Sequence, residues 1–555
     1  MNQMTGAQLI VRLLERQGVR TIAGIPGGAI LPLYDALSGS EIIHHVLARH
    51  EQGAGFMAQG MARVSGRPEV CFASSGPGAT NLVTAIADAM LDSIPMVAIT
   101  GQVPLSMIGT DAFQEVDIYG MTVPITKHNF LVRSAEELLE VIPAAFCIAM
   151  SGRPGPVLVD VPKDVQNQVI AFADFPPPAV PDAVPVLDAA LIEAAARMIN
   201  EAARPVLYLG GGVIHSGAAQ QAVTLAEQAG LPTTMTLMAL GAMALDHPLS
   251  IGMLGMHGAR YTNFVLEESD LLICVGARFD DRAIGKAAQF CPNAKIIHID
   301  VDPSELHKIK NAHVAINGDV GAVLEALLPQ VKVQLRKDWL ATVEDLRTRF
   351  PMQLPGADDA RSHYGLIHAV AAALDDEAVI TTDVGQHQMW VAQAYPFRRP
   401  RQWLTSGGLG TMGFGMPAAI GAALAEPERT VVCFSGDGSL QMNIQEFATL
   451  AENDLNVKIV LMNNNSLGLV YQQQNLFYGK RVFASKYRGA PDFLKIAEGY
   501  GLATLDLDGA ADPRAALAQA LQTRGPCLIH ASIDREQFVY PMVPPGAANT
   551  EMIGG

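Results

Sequence analysis

What this chain has little of narrows it before any motif is read. Its six cysteines (Cys71, Cys147, Cys274, Cys291, Cys433 and Cys527) are scattered over 555 residues with no C-x-x-C pair. That spacing excludes a zinc site or a disulfide framework, and the six read as reduced core thiols of a cytoplasmic protein. No apolar run approaches the ~20 residues that a spanning helix needs, and the opening MNQMTGAQLIVRLLERQGV reads as an amphipathic helix with charges throughout rather than a secretory signal. No membrane contact is expected. Basic residues are in deficit, with 38 Lys+Arg against 55 Asp+Glu and a net charge of −17. A nucleic-acid or anionic-membrane surface is therefore excluded on electrostatic grounds, and an anionic small substrate would need a local cation.

Apolar matter, by contrast, is ample: 49% of the residues are hydrophobic, enough for several cores in about three domains of ~150 residues each. Short β-branched runs alternate with Ala-rich helical stretches, which predicts an α/β fold of doubly wound parallel sheets. Pro-rich DFPPPAVPDAVPV (174–186) reads as an extended linker, and RFPMQLPGADDARS (349–362) as a softer break. The predicted domains are 1–170, 187–345 and 362–540, with a Gly/Pro-rich tail over 541–555. The first and third are of similar size and class.

Residues 430–468, TVVCFSGDGSLQMNIQEFATLAENDLNVKIVLMNNNSLG, parse as strand, turn, helix (about Leu440 to Glu452), strand and turn. A crossover of this length makes the two strands parallel, so both turns emerge at the carboxyl edge where open α/β sheets bind ligands. Asp437 and Asn464 then offer two hard oxygen ligands side by side, which suits Mg²⁺ completed by phosphate and water. Either turn alone would be an ordinary loop; the pair across one crossover favours a metal-held diphosphate.

Three other stretches carry an open choice. SGGLGTMGFGMPAAIGAAL contains Gly408-x-Gly410-x-x-Gly413 before a helix, so a dinucleotide-binding dehydrogenase is a rival, weakened by the poor strand RQWLTS in front of it. RPVLYLGGGVI, DLLICVGARF and AKIIHIDVD are strands ending in Gly or Asp, a layout that fits a nucleotide crevice or a scaffold domain equally. Arg282, in GARFDDR, could clamp a carboxylate or form a surface pair with Asp280 or Asp281.

VLARHEQGAGFMAQGMAR (46–63) poses a sharper question. Ala54, Met57, Ala58 and Met61 recur at helical spacing, yet Gly53, Gly55 and Gly60 each cost ~1 kcal/mol against Ala. Something must approach this helix closely. Read alone, Glu51 is a first-turn acid favoured by the helix dipole.

GDG followed at this distance by NN resembles the diphosphate signature of the thiamine diphosphate enzymes. A longer set, RHEQGAGFMAQGMAR, SSGPGATNLVTAIADA, TGQVP, IGTDAFQE, SGRPGPVLVDVPKD, MLGMHG, GARFDDR and PMVPPGAANTEM, spans essentially the whole chain. It resembles the catalytic subunits of the acetohydroxyacid synthase family, the bacterial isozyme I type above all. That resemblance implies pyrimidine, central FAD-binding and pyrophosphate domains in a homodimer or dimer of dimers, with one cofactor spanning two subunits.

By the same resemblance Asp437, Asn464 and the carbonyl of Ser466 would hold Mg²⁺. Gly438, Ser439, Gly468, Val384, Gly385, Gln386 and His387 would line the diphosphate of thiamine diphosphate, though His387 alone reads as an ordinary loop histidine. The main chain at Gly410 would take the aminopyrimidine, with Met412 wedged between the cofactor's rings. Glu51 would share a proton with the pyrimidine N1′, its pKa raised by the small apolar residues around it and its glycines letting the ring approach. FAD, with no redox step to perform, would sit on Arg153, Gly210, Gly211, Gly212, Thr236, Leu237, His257, Arg278, Asp300 and Asp319.

The implied reaction decarboxylates pyruvate and transfers the hydroxyethyl unit to a second 2-keto acid, giving 2-acetolactate from pyruvate or 2-aceto-2-hydroxybutyrate from 2-ketobutyrate. Arg282 would clamp the acceptor carboxylate, Phe113 and Met256 shape its pocket, Gln114 and Gly28 lie near the substrate oxygens, and Lys163 stand at the channel mouth. One departure stands out: Gln472-Gln473-Gln474 replaces the Gln-Trp-Gln of many members. That Trp favours the larger acceptor, so Gln473 implies weak discrimination. Members of this type work with a small regulatory subunit that confers feedback inhibition by valine. The alternatives are pyruvate oxidase, glyoxylate carboligase, which lacks a glutamate at the position of Glu51, and a non-catalytic flavin-binding module.

Overall fold

The computed structural model describes residues 2–554. Three six-stranded parallel sheets organise them, each wrapped by helices in an α/β arrangement. The first runs, in spatial order, His44–Leu47, Thr21–Gly24, Glu69–Ala73, Met96–Gln102, Pro156–Pro162 and His128–Leu131. The third runs Trp403–Leu404, Val379–Thr382, Val431–Gly436, Val457–Asn463, Cys527–Ser532 and Ala503–Asp506. Numbered within each sheet by sequence, both read 2-1-3-4-6-5, so one topology occurs twice. The middle sheet, Ser250–Met253, Thr233–Met235, Pro205–Leu209, Leu271–Val275, Lys295–Asp300 and Val314–Asn317, reads 3-2-1-4-5-6, the doubly wound dinucleotide-binding order.

The central strands are apolar without alternation because helices cover both faces. Met96–Gln102, Pro156–Pro162 and Val457–Asn463 are buried along their whole length. A two-stranded antiparallel ribbon, Asn2–Thr5 with Val169–Phe172, ties the first segment to the end of the first sheet's region. Residues 174–188 then take no regular structure, as their prolines require.

Two sequence expectations need correcting. The helix expected from Leu440 to Glu452 is broken into Asp437–Leu440, a 3₁₀ turn Ile444–Glu446 and Phe447–Glu452. The break falls where the Asn443 amide leaves the helix to donate to the Gly413 carbonyl at 2.7 Å. The glycines after Glu51 do not admit a ring either. The helix Glu51–Ser65 crosses the third domain's helix Gly415–Ala425 backbone to backbone. A Cβ on Gly60 would strike the Ala418 carbonyl oxygen, and one on Gly421 would strike the Met57 carbonyl oxygen. Gly53 faces the Glu446 carboxylate and Gly55 the Ala85 methyl.

This crossing predicts a contrast between two glycines. Gly60→Val, which forces the helices apart, should destabilise by about 2 kcal/mol or more, whereas Gly499→Ala, whose Cβ meets nothing within 4 Å, should stay within about 0.5 kcal/mol. Urea denaturation of the two variants measures the difference; equal midpoints would contradict the crossing.

Candidate active site

At the carboxyl edge of the third sheet, Gly436 is in register with Met462 of the neighbouring parallel strand. Asp437 and Asn464, one and two residues further on, therefore stand together. Asp437 is only 2% exposed, and Asn464 is also buried. The Asn464 Oδ1 accepts from the Ser466 amide at 3.2 Å and its hydroxyl at 3.0 Å. Its Nδ2 donates to Gln386 Oε1 at 3.0 Å, and Gln386 in turn donates to Gln472 Oε1 at 3.0 Å. Burial lifts the Asp437 carboxyl to about 6 even though backbone amides of Asn464, Ser466 and Gly438 face it. A buried carboxylate beside an amide oxygen, met by amides rather than by a cationic side chain, is a donor set that fits Mg²⁺.

The surrounding residues form a cradle. His387 is buried and held neutral, its pKa pushed down to about 3, and its Nε2 has no hydrogen-bond partner. A Cβ on Gly436 would come within 2.9 Å of His387 Nδ1, and one on Gly438 within 2.8 Å of the Tyr487 hydroxyl oxygen. Ser439 Oγ donates to the Val384 carbonyl at 2.8 Å. Gly385 also abuts the His387 ring, Gly468 abuts the Gln386 amide oxygen, and Met412 approaches Gly438.

The glycine-rich loop after Trp403–Leu404 aims its amides at an anion, but the anion is internal. Gly408 N–H donates to Asp92 Oδ1 at 2.7 Å and Gly407 N–H to Asp92 Oδ2 at 3.1 Å. Gly413 N–H likewise donates to Asp383 Oδ1 at 2.7 Å, so two of the motif's three glycine amides are engaged within the protein, which counts against the dehydrogenase reading.

In the middle sheet the crevice opens where the strand order reverses, between Pro205–Leu209 and Leu271–Val275. There Gly210 abuts the Gly276 carbonyl, and a Cβ on Gly212 would lie 2.8 Å from Gly276 Cα. The crevice is part of a cavity of about 750 Å³ whose lining includes Arg153, Gly211, Thr236, Leu237, His257, Arg278, Asp300 and Asp319. Thr236 Oγ1 is buried without a partner. His257, pushed down to about 4 by burial, is neutral, and Asp300 is lifted to about 6. Two members are already engaged: Arg153 pairs with Glu305 at 2.9 Å and with Asp302 at 3.4 Å, and Asp319 caps the helix Val320–Leu327 through Ala322 N–H. The orphaned hydroxyl and the glycine-lined floor fit a dinucleotide such as FAD.

The same cavity continues past Met256, Arg282 and Gly410 to Gln473. Asp280 caps the helix Asp281–Ile284, and Asp281 meets the Arg282 Nε only at 3.8 Å. The Arg282 side chain, 65% exposed, thus keeps most of its donors for another anion. Along the helix Gly468–Phe477, Gln472 turns inward and donates to the Val539 carbonyl, Gln474 donates to the Phe483 carbonyl, and Gln473 faces the cavity.

Arg153 apart, the first domain's candidates form a separate group that does not line this cavity. Glu51, half-buried, accepts from Asn81 Nδ2 at 2.9 Å, and its Oε1 lies 3.3 Å from where a Gly78 Cβ would stand. The expected enclosure of this carboxyl by Gly, Ala and Met is not observed, because Ala54, Met57, Ala58 and Met61 turn into the core while the carboxyl points across to Asn81. Gln114 holds φ +61° against Gly76, Gly28 faces open space, and Lys163 opens the helix Lys163–Asn167. Phe113 is 87% exposed.

Comparison with known proteins finds relatives for all three regions of the chain. Models of the thiamine pyrophosphate enzymes match as the N-terminal TPP binding domain over residues 4–121, the central domain over 192–327 and the C-terminal TPP binding domain over 383–531. The chain is 65% identical to the acetolactate synthase isozyme 1 large subunit of Escherichia coli, over 100% of this chain and 98% of that one. The chain belongs to the acetolactate synthase large-subunit family. It is also 49% identical to the isozyme 2 large subunit of Escherichia coli, over 99% of each chain. To the acetolactate synthase large subunit of Parasynechococcus marenigrum it is 47% identical, over 99% of this chain and 91% of that one.

Within this family member, four groups at the site escaped the sequence reading: Asn81, Tyr487, Asp383 and Glu446. Asp383, lifted to about 6 by burial, accepts from Gly413 N–H at 2.7 Å and from Ser435 Oγ at 2.9 Å. Glu446 reaches from the third domain to accept the amides of Arg49 and His50 at 2.9 and 3.0 Å, at the head of the Glu51 helix. Each acts through a contact distant in sequence; even where a quoted stretch holds the residue, as SSGPGATNLVTAIADA holds Asn81, nothing in it names the partner.

Because Asp437 is raised, folding favours its protonated form. Its contribution to stability is fully present below the unfolded carboxyl's pKa and is lost as pH rises through about 6. A divalent cation takes the ionised form, so Mg²⁺ with thiamine diphosphate should raise Tm more at pH about 7.5 than at pH about 5.5. In Asp437→Asn the rise should be small at both. Equal shifts for the unaltered protein at the two pH values would contradict the assignment.

Proposed function

We propose that the chain is the catalytic subunit of a thiamine diphosphate-dependent acetolactate synthase that also binds Mg²⁺ and FAD. It decarboxylates pyruvate and transfers the two-carbon unit to a second 2-keto acid, pyruvate or 2-ketobutyrate, at the first common step of branched-chain amino acid biosynthesis. The observation that carries this reading is the buried Asp437 beside Asn464 at neighbouring strand ends, ringed by Gly438, Ser439 and His387, whose Nε2 has no partner. Asp437, Asn464 and the Ser466 carbonyl hold Mg²⁺ and through it the diphosphate, while the Gly410 main chain and Met412 orient the pyrimidine.

When bound, thiamine diphosphate supplies the nucleophilic carbon and the electron sink for decarboxylation. Glu51 of the partner subunit would be the acid–base group that shares a proton with the pyrimidine N1′. Its chemistry matches a general acid–base role, and its presence disfavours a glyoxylate carboligase. Arg282 binds the acceptor carboxylate as the cation that an acidic protein must supply locally, and Met256 and Gln473 border the acceptor. Phe113, Gln114, Gly28 and Lys163 would complete the pocket from the partner.

A homodimer, or a dimer of dimers, is supported by surface left open on both halves. Leu31, Phe113 and Val123 on the first domain and Met442, Tyr478 and Phe483 on the third are large exposed apolar groups, of the kind a subunit contact covers. The domains are read as 1–170, 187–345 and 362–540 with the tail 541–555, FAD filling the central cavity in a structural role. Relatives named as large subunits support a small regulatory subunit as partner. A cytoplasmic setting fits the six free cysteines, and no described helix is long and apolar enough to cross a membrane.

Two outcomes follow. Glu51→Gln should lower kcat by about 100-fold or more while thiamine diphosphate still binds, because its diphosphate contacts lie in another domain; an unaltered kcat in a pyruvate assay would overturn the role. With Gln473 in place of an aromatic residue, the two acceptors at equal concentration should give comparable amounts of both products. Heavy bias toward 2-aceto-2-hydroxybutyrate in a competition assay would contradict it.

A further inference from the structure

A buried cluster outside the cofactor contacts named so far joins the first domain to the third within one chain. Asp88 and Asp92 lie one turn apart on the helix Val83–Asp92, and both side chains are fully buried. Arg63 supplies their positive partner, 2.8 Å from Asp92 and 3.6 Å from Asp88. Both carboxylates also accept from outside the domain. Asp92 takes the amides of Gly407 and Gly408. Asp88 Oδ1 takes the hydroxyls of Ser406 and of Thr411, the latter at 2.8 Å. Thr411 N–H closes the turn by donating to Ser406 Oγ at 2.8 Å.

The loop is thus pinned at one end to the first domain. At the other end, Gly413 is pinned within its own domain by Asp383 and Asn443. Between the pins lie Leu409, Gly410 at φ +70° and Met412, the segment read above as the clamp on the pyrimidine ring. The glycines serve the same arrangement: Gly407 abuts the Met238 sulfur, and a Cβ on Gly408 would lie 2.9 Å from Leu91 Cβ and 3.0 Å from Asp92 Oδ1.

We propose that Asp88 and Asp92 are positioning residues for the cofactor's pyrimidine. From the first domain of the same chain, they hold the loop Ser406–Thr411 so that the Gly410 main chain and Met412 are presented in one fixed geometry. The proposal rests on the reading that Gly410 and Met412 contact thiamine diphosphate. Each chain's first domain would then have two duties: to brace its own chain's cofactor loop through Asp88 and Asp92, and to offer Glu51 to the cofactor of the other subunit. Charge-assisted hydrogen bonds suit the bracing role because they are directional and strong when dry.

Asp92→Asn keeps the shape but turns an amide group toward Gly407 or Gly408, and Thr411→Val removes one hydroxyl donor without changing charge. Thiamine diphosphate affinity of the full chain is measured by titration calorimetry with Mg²⁺ present, alongside the circular dichroism of the bound pyrimidine and a thermal melt. The expected result for Asp92→Asn is a Kd raised about tenfold and a diminished pyrimidine band. kcat should fall while the pyruvate KM stays within about twofold, since substrate contacts lie elsewhere. Thr411→Val should move the same quantities in the same direction by a smaller factor, and it decides the matter if Asp92→Asn fails to fold. Unchanged Kd and an unchanged pyrimidine band in folded Asp92→Asn, or in Thr411→Val where the former does not fold, would overturn the proposal. Failure of the unaltered chain to bind thiamine diphosphate would instead overturn the reading beneath it.

Discussion

The backbone contact between the helix Glu51–Ser65 and the helix Gly415–Ala425 sets the relation between the first and third domains. Two carbonyl oxygens, those of Met57 and Ala418, occupy the space that side chains at Gly421 and Gly60 would fill. Around this contact the apolar faces of both helices merge into one core that also holds Met61, Met416 and Ile420. The consequence is geometric. Once the crossing is fixed, the carboxyl edge that carries Glu51 and the edge that carries Asp437 have a fixed relation within each chain, and neither is free to adjust to a ligand alone.

Buried carboxylates then divide the work, and their surroundings decide which does what. Asp88 and Asp92 are met by Arg63 and by hydroxyl and amide donors of the third domain's loop, so they act as braces. Glu446 is met by the amides at the head of the Glu51 helix and favours that terminus electrostatically. Asp437 is met by amides alone and is raised by burial, which leaves it in need of a cation. Asp383 is likewise raised by burial and met by an amide and a hydroxyl, so it is the buried Asn464 at the neighbouring strand end, not burial alone, that singles out Asp437 as the candidate metal ligand.

Much of this was readable from the residues. The parallel pairing of VVCFSG with VKIVLMN followed from crossover length, and with it the adjacency of Asp437 and Asn464. The strand-end glycines of the middle sheet marked its crevice for the same reason. The misreadings share a cause, which is that a local pattern does not name its distant partner. Gly60 advertised a close approach, yet nothing near it in sequence said that the visitor was Ala418 rather than a ring. Gly408-x-Gly410-x-x-Gly413 looked like a dinucleotide loop because an amide aimed at an anion looks the same whether the anion is a ligand or Asp92. The interruption at Asn443 was hidden because its acceptor, the Gly413 carbonyl, lies thirty residues upstream.

In the proposed enzyme one active site is built from two chains, with Glu51 from one subunit and Asp437 from the other. The most direct test of that claim is to combine Glu51→Gln chains with Asp437→Asn chains, each inactive alone, and to assay purified mixed dimers. One of the two sites in such a dimer would carry both native residues, so activity should return to about half that of the unaltered dimer. Mixed dimers that form and bind thiamine diphosphate but stay as inactive as either parent would contradict the claim.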